Sequence, residues 1–120
     1  IGSNCSFRLL KAFLQSSHLL DFFDGNIFSA DMVAHPKPAP DLFLYAADKM
    51  GQNPKDCLVI EDSLAGVQAA VKAGIQVVGF LAGSHIASKN SSCLLQAGSK
   101  AILNDMRHLD SYLSLARQPA

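Results

Sequence analysis

Three short stretches of this 120-residue chain carry side chains suited to chemistry: Ser3-Asn4, Lys37 and Glu61-Asp62. Glu61-Asp62 sets two hard oxygen donors side by side, and such a pair can hold Mg²⁺, which takes few protein carboxylates and keeps several waters. Neighbouring residues point opposite ways along an extended chain. Asp62 is therefore expected to bind the metal directly, and Glu61 through water or from the side. Read alone, Asp62 and Ser63 equally cap a helix and enjoy its dipole. Lys37 stands between Pro36 and Pro38, which hold its backbone extended and leave little conformational entropy to lose. That suits a fixed point charge aimed at phosphoryl oxygens; alone, Lys37 reads as well as a solvated loop lysine. Ser3 and Asn4 offer a hydroxyl and backbone N–H groups where a helix begins, a setting for an anion and for an N-cap alike. Gly83-Ser84-His85 reads either as a loop that touches substrate or as a flexible loop with a solvent-facing histidine. His18, His35 and His108 have no metal-ligand spacing.

The elements that must position these residues are legible in the apolar pattern. Phe7, Leu10, Phe13 and Leu14 recur at helical spacing after Ser6, an N-cap residue type, and Leu19, Leu20, Phe22 and Phe23 follow the Ser16-Ser17 break. Ile27-Phe28 fits a brief strand after Gly25-Asn26. The cluster Pro36-Lys37-Pro38-Ala39-Pro40 forbids regular structure at its centre, and Pro40 suits the first position of a helix over Asp41 to Met50 that Gly51 ends. Cys57-Leu58-Val59-Ile60 is expected to be a fully buried strand. Leu64, Val67, Ala70 and Val71 share one helical face, Gly74 caps that helix, and Val77-Val78-Gly79-Phe80 forms a second buried strand. Ala82 to Ser92 reads as a loop, Cys93 to Gln96 as a short helical patch, Ala101-Ile102-Leu103 as a strand, and about Met106 to Leu115 as a closing helix. Helices alternating with buried strands predict an α/β fold: a Rossmann-like parallel sheet with helices on both faces. Ligands of such sheets bind outside the carboxyl ends of the strands, where Ser3 and Glu61-Asp62 fall.

Composition narrows the function classes. Hydrophobic residues make up 49% of the chain, with ten Lys+Arg against ten Asp+Glu. That excludes a disordered chain and gives no long-range pull toward nucleic acid or an anionic membrane. No apolar run reaches the roughly 18 residues that span a bilayer, and polar Ser3-Asn4 follows Ile1 too soon for a signal peptide. Cys5, Cys57 and Cys93 are odd in number and widely spaced, each in or beside an apolar stretch. They are expected to be buried thiols in a reducing, cytoplasmic compartment. The sequons Asn4-Cys5-Ser6 and Asn90-Ser91-Ser92 read as accidental. Ile1 in place of an initiator Met suggests a start within a longer polypeptide.

The order of the motifs says more than any one of them. A serine-asparagine turn after a strand, then Lys37-Pro38-Ala39-Pro40-Asp41 opening a helix, then a strand ending in Ile60-Glu61-Asp62-Ser63-Leu64-Ala65-Gly66 resembles the haloacid dehalogenase superfamily of phosphohydrolases. It is close to the subgroup containing β-phosphoglucomutase and the sugar-phosphate phosphatases. The resemblance implies that the Ser3 hydroxyl binds the transferring phosphoryl group, with Asn4 helping to present phosphate-binding groups. It implies that the Lys37 amine neutralises nucleophile and phosphoryl charge, and that Glu61 with Asp62 holds Mg²⁺. The substrate implied is a small phosphorylated metabolite.

One family feature has no counterpart. The motif D-x-D-G-T, which supplies the phosphorylated aspartate and the acid/base aspartate, is absent; Asp21-Phe22-Phe23-Asp24-Gly25 has the wrong acid spacing, follows a helix and lacks the threonine. The inserted helical cap of this subgroup is missing as well. The chain thus looks like the C-terminal part of a phosphohydrolase core, inert alone, whose parent is a Mg²⁺-dependent phosphatase working through a phosphoaspartyl intermediate. The alternatives are a β-phosphoglucomutase-type mutase and a non-catalytic Rossmann-like module that pairs with a chain supplying the missing strands. A receiver-type signalling domain is disfavoured because its lysine follows the acids, and neither G-x-x-x-x-G-K-[ST] nor G-x-G-x-x-G occurs.

Overall fold

A computed structural model of the chain describes residues 1–23, 25–82 and 87–116. Ser84 and His85, with Asp24 of the rejected acid pair, lie outside the described residues.

Strand β1 (Gly2–Ser3) is followed by helix α1 (Phe7–Ser16), the single turn α2 (Leu20–Phe23) and β2 (Phe28–Ser29). Helix α3 (Asp41–Lys49), β3 (Leu58–Glu61), α4 (Leu64–Lys72), β4 (Gln76–Phe80), α5 (Ala87–Gln96), β5 (Ile102–Leu103) and α6 (Leu109–Ala116) complete the order. Local chemistry explains most boundaries. Ser6 accepts the Leu9 N–H at the start of α1, and Ser63 accepts the Gly66 N–H at the start of α4, each satisfying an N-terminal donor the helix cannot. Gly51 and Gly74, just beyond α3 and α4, take positive φ of 67° and 73°, a conformation in which a Cβ is strained.

Among the described residues all strand pairs are parallel, as the alternation of elements predicts, but they form two sheets rather than one. β1 pairs with β2, with Ser3 opposite Ser29, and separately β3, β4 and β5 pair in that order, with Glu61 opposite Gly79. Each sheet has its own core. Leu10, Leu14 and Ile27 pack under the first, while Val59, Val67, Ala70, Ile75, Val77 and Leu94 are the centre of the second. Helix α3 reaches both, burying Leu42 and Phe43.

Several expectations need correction. Helix α5 takes in much of the stretch expected to be a loop, anchored through Leu94 (2% exposed). β3 is not fully buried: Ile60 lies on the face opposite Val59 and Glu61 and is exposed. Leu64, Val71, Phe7 and Phe13 are likewise exposed, leaving Val67 and Ala70 in α4 and Leu10 and Leu14 in α1 to face the cores. The cysteines are free thiols, but Cys5 and Cys57 are half-buried and Cys93 is exposed beside inward-facing Leu94. No helix among the described residues is long and apolar enough to cross a membrane.

Candidate active site

The motifs meet at the carboxyl ends of β1 and β3. Ser3, Asn4, Lys37, Glu61 and Asp62 all line one cavity of about 1060 Å³, whose walls include Gly2 and Phe28 of the small sheet and Val59 and Ile60 of the larger.

Lys37 is the centre of the arrangement. Its ammonium donates to the Gly2 carbonyl at 2.9 Å and to Glu61 Oε1. It thereby ties together two sheets that share no backbone ladder. It also lies 4.8 Å from the centroid of the Phe43 ring, within reach of a cation–π attraction. The side chains of Lys37 and Glu61 are only 8% and 9% exposed. An ammonium has three N–H donors; two are assigned, and the third has no partner among the described residues. A buried cation with a donor in reserve is the group that a phosphoryl oxygen in the cavity would meet.

Glu61 is held as firmly as the lysine. Ser63 Oγ donates to Glu61 Oε2 at 3.2 Å while accepting the Gly66 N–H at 3.0 Å. A Cβ on Gly66 would lie 2.0 Å from the Glu61 carboxyl group, so only glycine fits where α4 passes the carboxylate. Both Glu61 oxygens therefore have protein partners, while neighbouring Asp62 is exposed. Among the described residues no three His, Cys, Asp or Glu side chains gather into a metal cage. The donor set suits Mg²⁺ only as a sparsely ligated, mostly hydrated ion, with Asp62 giving one carboxylate.

Ser3 and Asn4 form the turn leaving β1. Ser3 Oγ accepts the Cys5 N–H at 3.2 Å and lies 2.9 Å from Cys5 Sγ. The Asn4 side chain is engaged with the main chain of Lys37. Ser63, Gly66 and Phe43 were not anticipated as supports of the site. The spacing that makes Ser63 a helix cap also brings it two residues from Glu61 on the same turn, which is the signal that could have found it.

Comparison with known proteins identifies the family. A sequence model of the haloacid dehalogenase-like hydrolases matches residues 1–74. Fructose-1-phosphate phosphatase of Escherichia coli is 41% identical over 78 residues, 65% of this chain and 41% of that enzyme. The 6-phosphogluconate phosphatase of the same organism is 35% identical over 68 residues, 57% of this chain and 31% of that one. A haloacid dehalogenase-like protein of unknown function from Agrobacterium tumefaciens superposes with a TM-score of 0.90 at 33% identity, covering 98% of this chain and 54% of that structure. The chain thus spans less than half the length of the two phosphatases and about half of the solved structure. The family match takes in Ser3, Lys37, Glu61 and Asp62 and more than half the sequence, and by it the chain belongs to the haloacid dehalogenase-like hydrolases.

Proposed function

We propose that these 120 residues are the phosphate-binding and charge-neutralising half of a Mg²⁺-dependent phosphatase acting on a small sugar- or polyol-phosphate. The observation that carries this reading is the buried Lys37 ammonium, held on Gly2 O and Glu61 with one donor in reserve at the carboxyl ends of two parallel sheets. Ser3 offers its hydroxyl to a phosphoryl oxygen. Lys37 neutralises charge on the phosphoryl group and on an incoming carboxylate. Glu61 fixes the lysine, and Asp62 is the direct ligand for Mg²⁺, which when bound would supply further neutralisation of phosphoryl charge. The similarity to two phosphatases of phosphorylated sugars supports the substrate class.

The nucleophile is an aspartate from outside these 120 residues. Its carboxylate oxygen attacks phosphorus as the P–O bond to the sugar breaks, and the leaving oxygen takes a proton from a second aspartate. Water, giving a proton back to that second aspartate, then attacks phosphorus and breaks the phosphoaspartate P–O bond, releasing inorganic phosphate and restoring both aspartates. On this reading the strand carrying these acids adjoins the cavity, which residues of both sheets wall: Gly2 of β1, Phe28 of β2, and Val59 and Ile60 of β3.

The test is phosphate release, with Mg²⁺ and a panel of esters including fructose 1-phosphate, by a polypeptide in which these residues follow a D-x-D-G-T strand. Turnover that falls at least about a hundredfold in Lys37→Met is expected, with no release by the 120 residues alone. An inactive fusion across the whole panel overturns the phosphatase reading. Release by the 120 residues alone overturns the need for an outside nucleophile.

A further inference from the structure

We propose that Asn4 is a positioning residue for Lys37, its side chain serving as a clamp on the lysine backbone. Asn4 Nδ2 donates to the Lys37 carbonyl at 3.2 Å, and Asn4 Oδ1 accepts the Lys37 N–H at 3.0 Å. One side-chain amide thus pairs with both polar groups of one residue, 33 positions away in sequence. The two bonds also fix which end of the amide is which, since only one orientation gives a donor to the carbonyl and an acceptor to the N–H.

The need for such a clamp follows from the prolines. In Pro36-Lys37-Pro38 only Lys37 has a backbone N–H. The segment cannot join a strand ladder of its own, and the prolines fix its local shape without fixing where it sits. Asn4 supplies the missing attachment. Gly2, two residues earlier at the start of β1, receives the Lys37 ammonium through its carbonyl. The two ends of the lysine, backbone and Nζ, are therefore gripped by residues 4 and 2 of one short stretch. This sets the distance from β1 to the ammonium independently of Glu61. The clamp takes up Asn4 Oδ1 and one of its two Nδ2–H donors, while Ser3 beside it lines the cavity.

The inference concerns the lysine that the phosphatase reading relies on, but its test needs no turnover, so the two can fail separately. Amide hydrogen exchange and amine acylation, read residue by residue on the 120-residue chain, report the clamp directly. The Lys37 N–H is expected to exchange at least about tenfold more slowly than in an unstructured peptide. Asn4→Ala removes that protection and raises acylation of Lys37 by about tenfold relative to Lys49 and Lys72, which serve as internal controls against general loosening. Asn4→Asp keeps an acceptor for the N–H but no donor for the carbonyl, and so retains the amide protection that alanine loses. A Lys37 N–H that exchanges freely in the unaltered chain overturns the proposal. So does an Asn4→Ala chain whose Lys37 acylation ratio is unchanged. Should Asn4→Ala not fold, the unaltered chain and Asn4→Asp still decide: a Lys37 N–H that exchanges in Asn4→Asp as fast as in an unstructured peptide contradicts the clamp.

Discussion

The Lys37 ammonium and the Glu61 carboxylate meet with less than a tenth of either side chain exposed, 24 residues apart in sequence, Lys37 in the proline-rich loop before α3 and Glu61 at the end of β3. Removing one partner of such a pair leaves a desolvated charge and costs about 3–5 kcal/mol, whereas removing both costs far less than the sum. Lys37→Met and Glu61→Gln are each expected to lower stability by about 3 kcal/mol, and the double variant to show a coupling of at least about 1 kcal/mol. Urea unfolding of the four proteins checks this; strictly additive effects contradict it.

Gly66→Ala is expected to destabilise the chain although alanine is the better helix former. The intrinsic gain is about 1 kcal/mol, but the new Cβ would lie 2.0 Å from the Glu61 carboxyl carbon. Relief requires Glu61 to leave Ser63 and Lys37, so a net loss of about 2 kcal/mol is expected from overpacking and the weakened ion pair. Thermal unfolding gives the sign, and a stabilised variant would show that the carboxylate moves without cost.

Asp62 and Glu61 should separate in their response to divalent cation. Asp62 is exposed and Glu61 is held by Lys37 and Ser63. Asp62→Asn is therefore expected to change stability by less than about 0.5 kcal/mol and to weaken Mn²⁺ binding, read by electron paramagnetic resonance as a stand-in for Mg²⁺. Glu61→Gln is expected to act mainly on stability. The reverse pattern would make Glu61 the metal ligand.

What the sequence reveals of this site is whatever short-range sterics control. Lys37 between two prolines, Ser63 three residues before Gly66, and glycines just past α3 and α4 are each legible, because their causes lie within a few bonds of the residues concerned. The ordered acids and lysine were legible for a different reason: strand ends of a parallel sheet share an edge, so residues that follow apolar runs gather there. The division into two sheets was not. Apolar runs specify that a strand is buried, not which strand lies beside it, so β1–β2 and β3–β4–β5 read as one sheet. The exposure of Ile60 is likewise invisible in the run Cys57 to Ile60. The Asn4 grip on Lys37 spans 33 residues, and no local pattern encodes it.

Separate cores predict separate unfolding. Leu14 packs with Leu10 and Ile27 beneath β1 and β2, while Val67 sits among Ala70, Ile75 and Val77 against the larger sheet. Leu14→Ala should cost about 2–5 kcal/mol as a cavity-forming core change. Because no ladder joins the sheets, that cost should fall on one unit: amide protection drops across α1 and β2 and persists in α4 and β4. Val67→Ala should do the converse. The ties between the units run through α3 and through Lys37, which bonds Gly2 on one side and Glu61 on the other. In Lys37→Met, then, the small unit should lose protection even though its own core is intact. Uniform loss of protection in all three variants would show a single cooperative core instead.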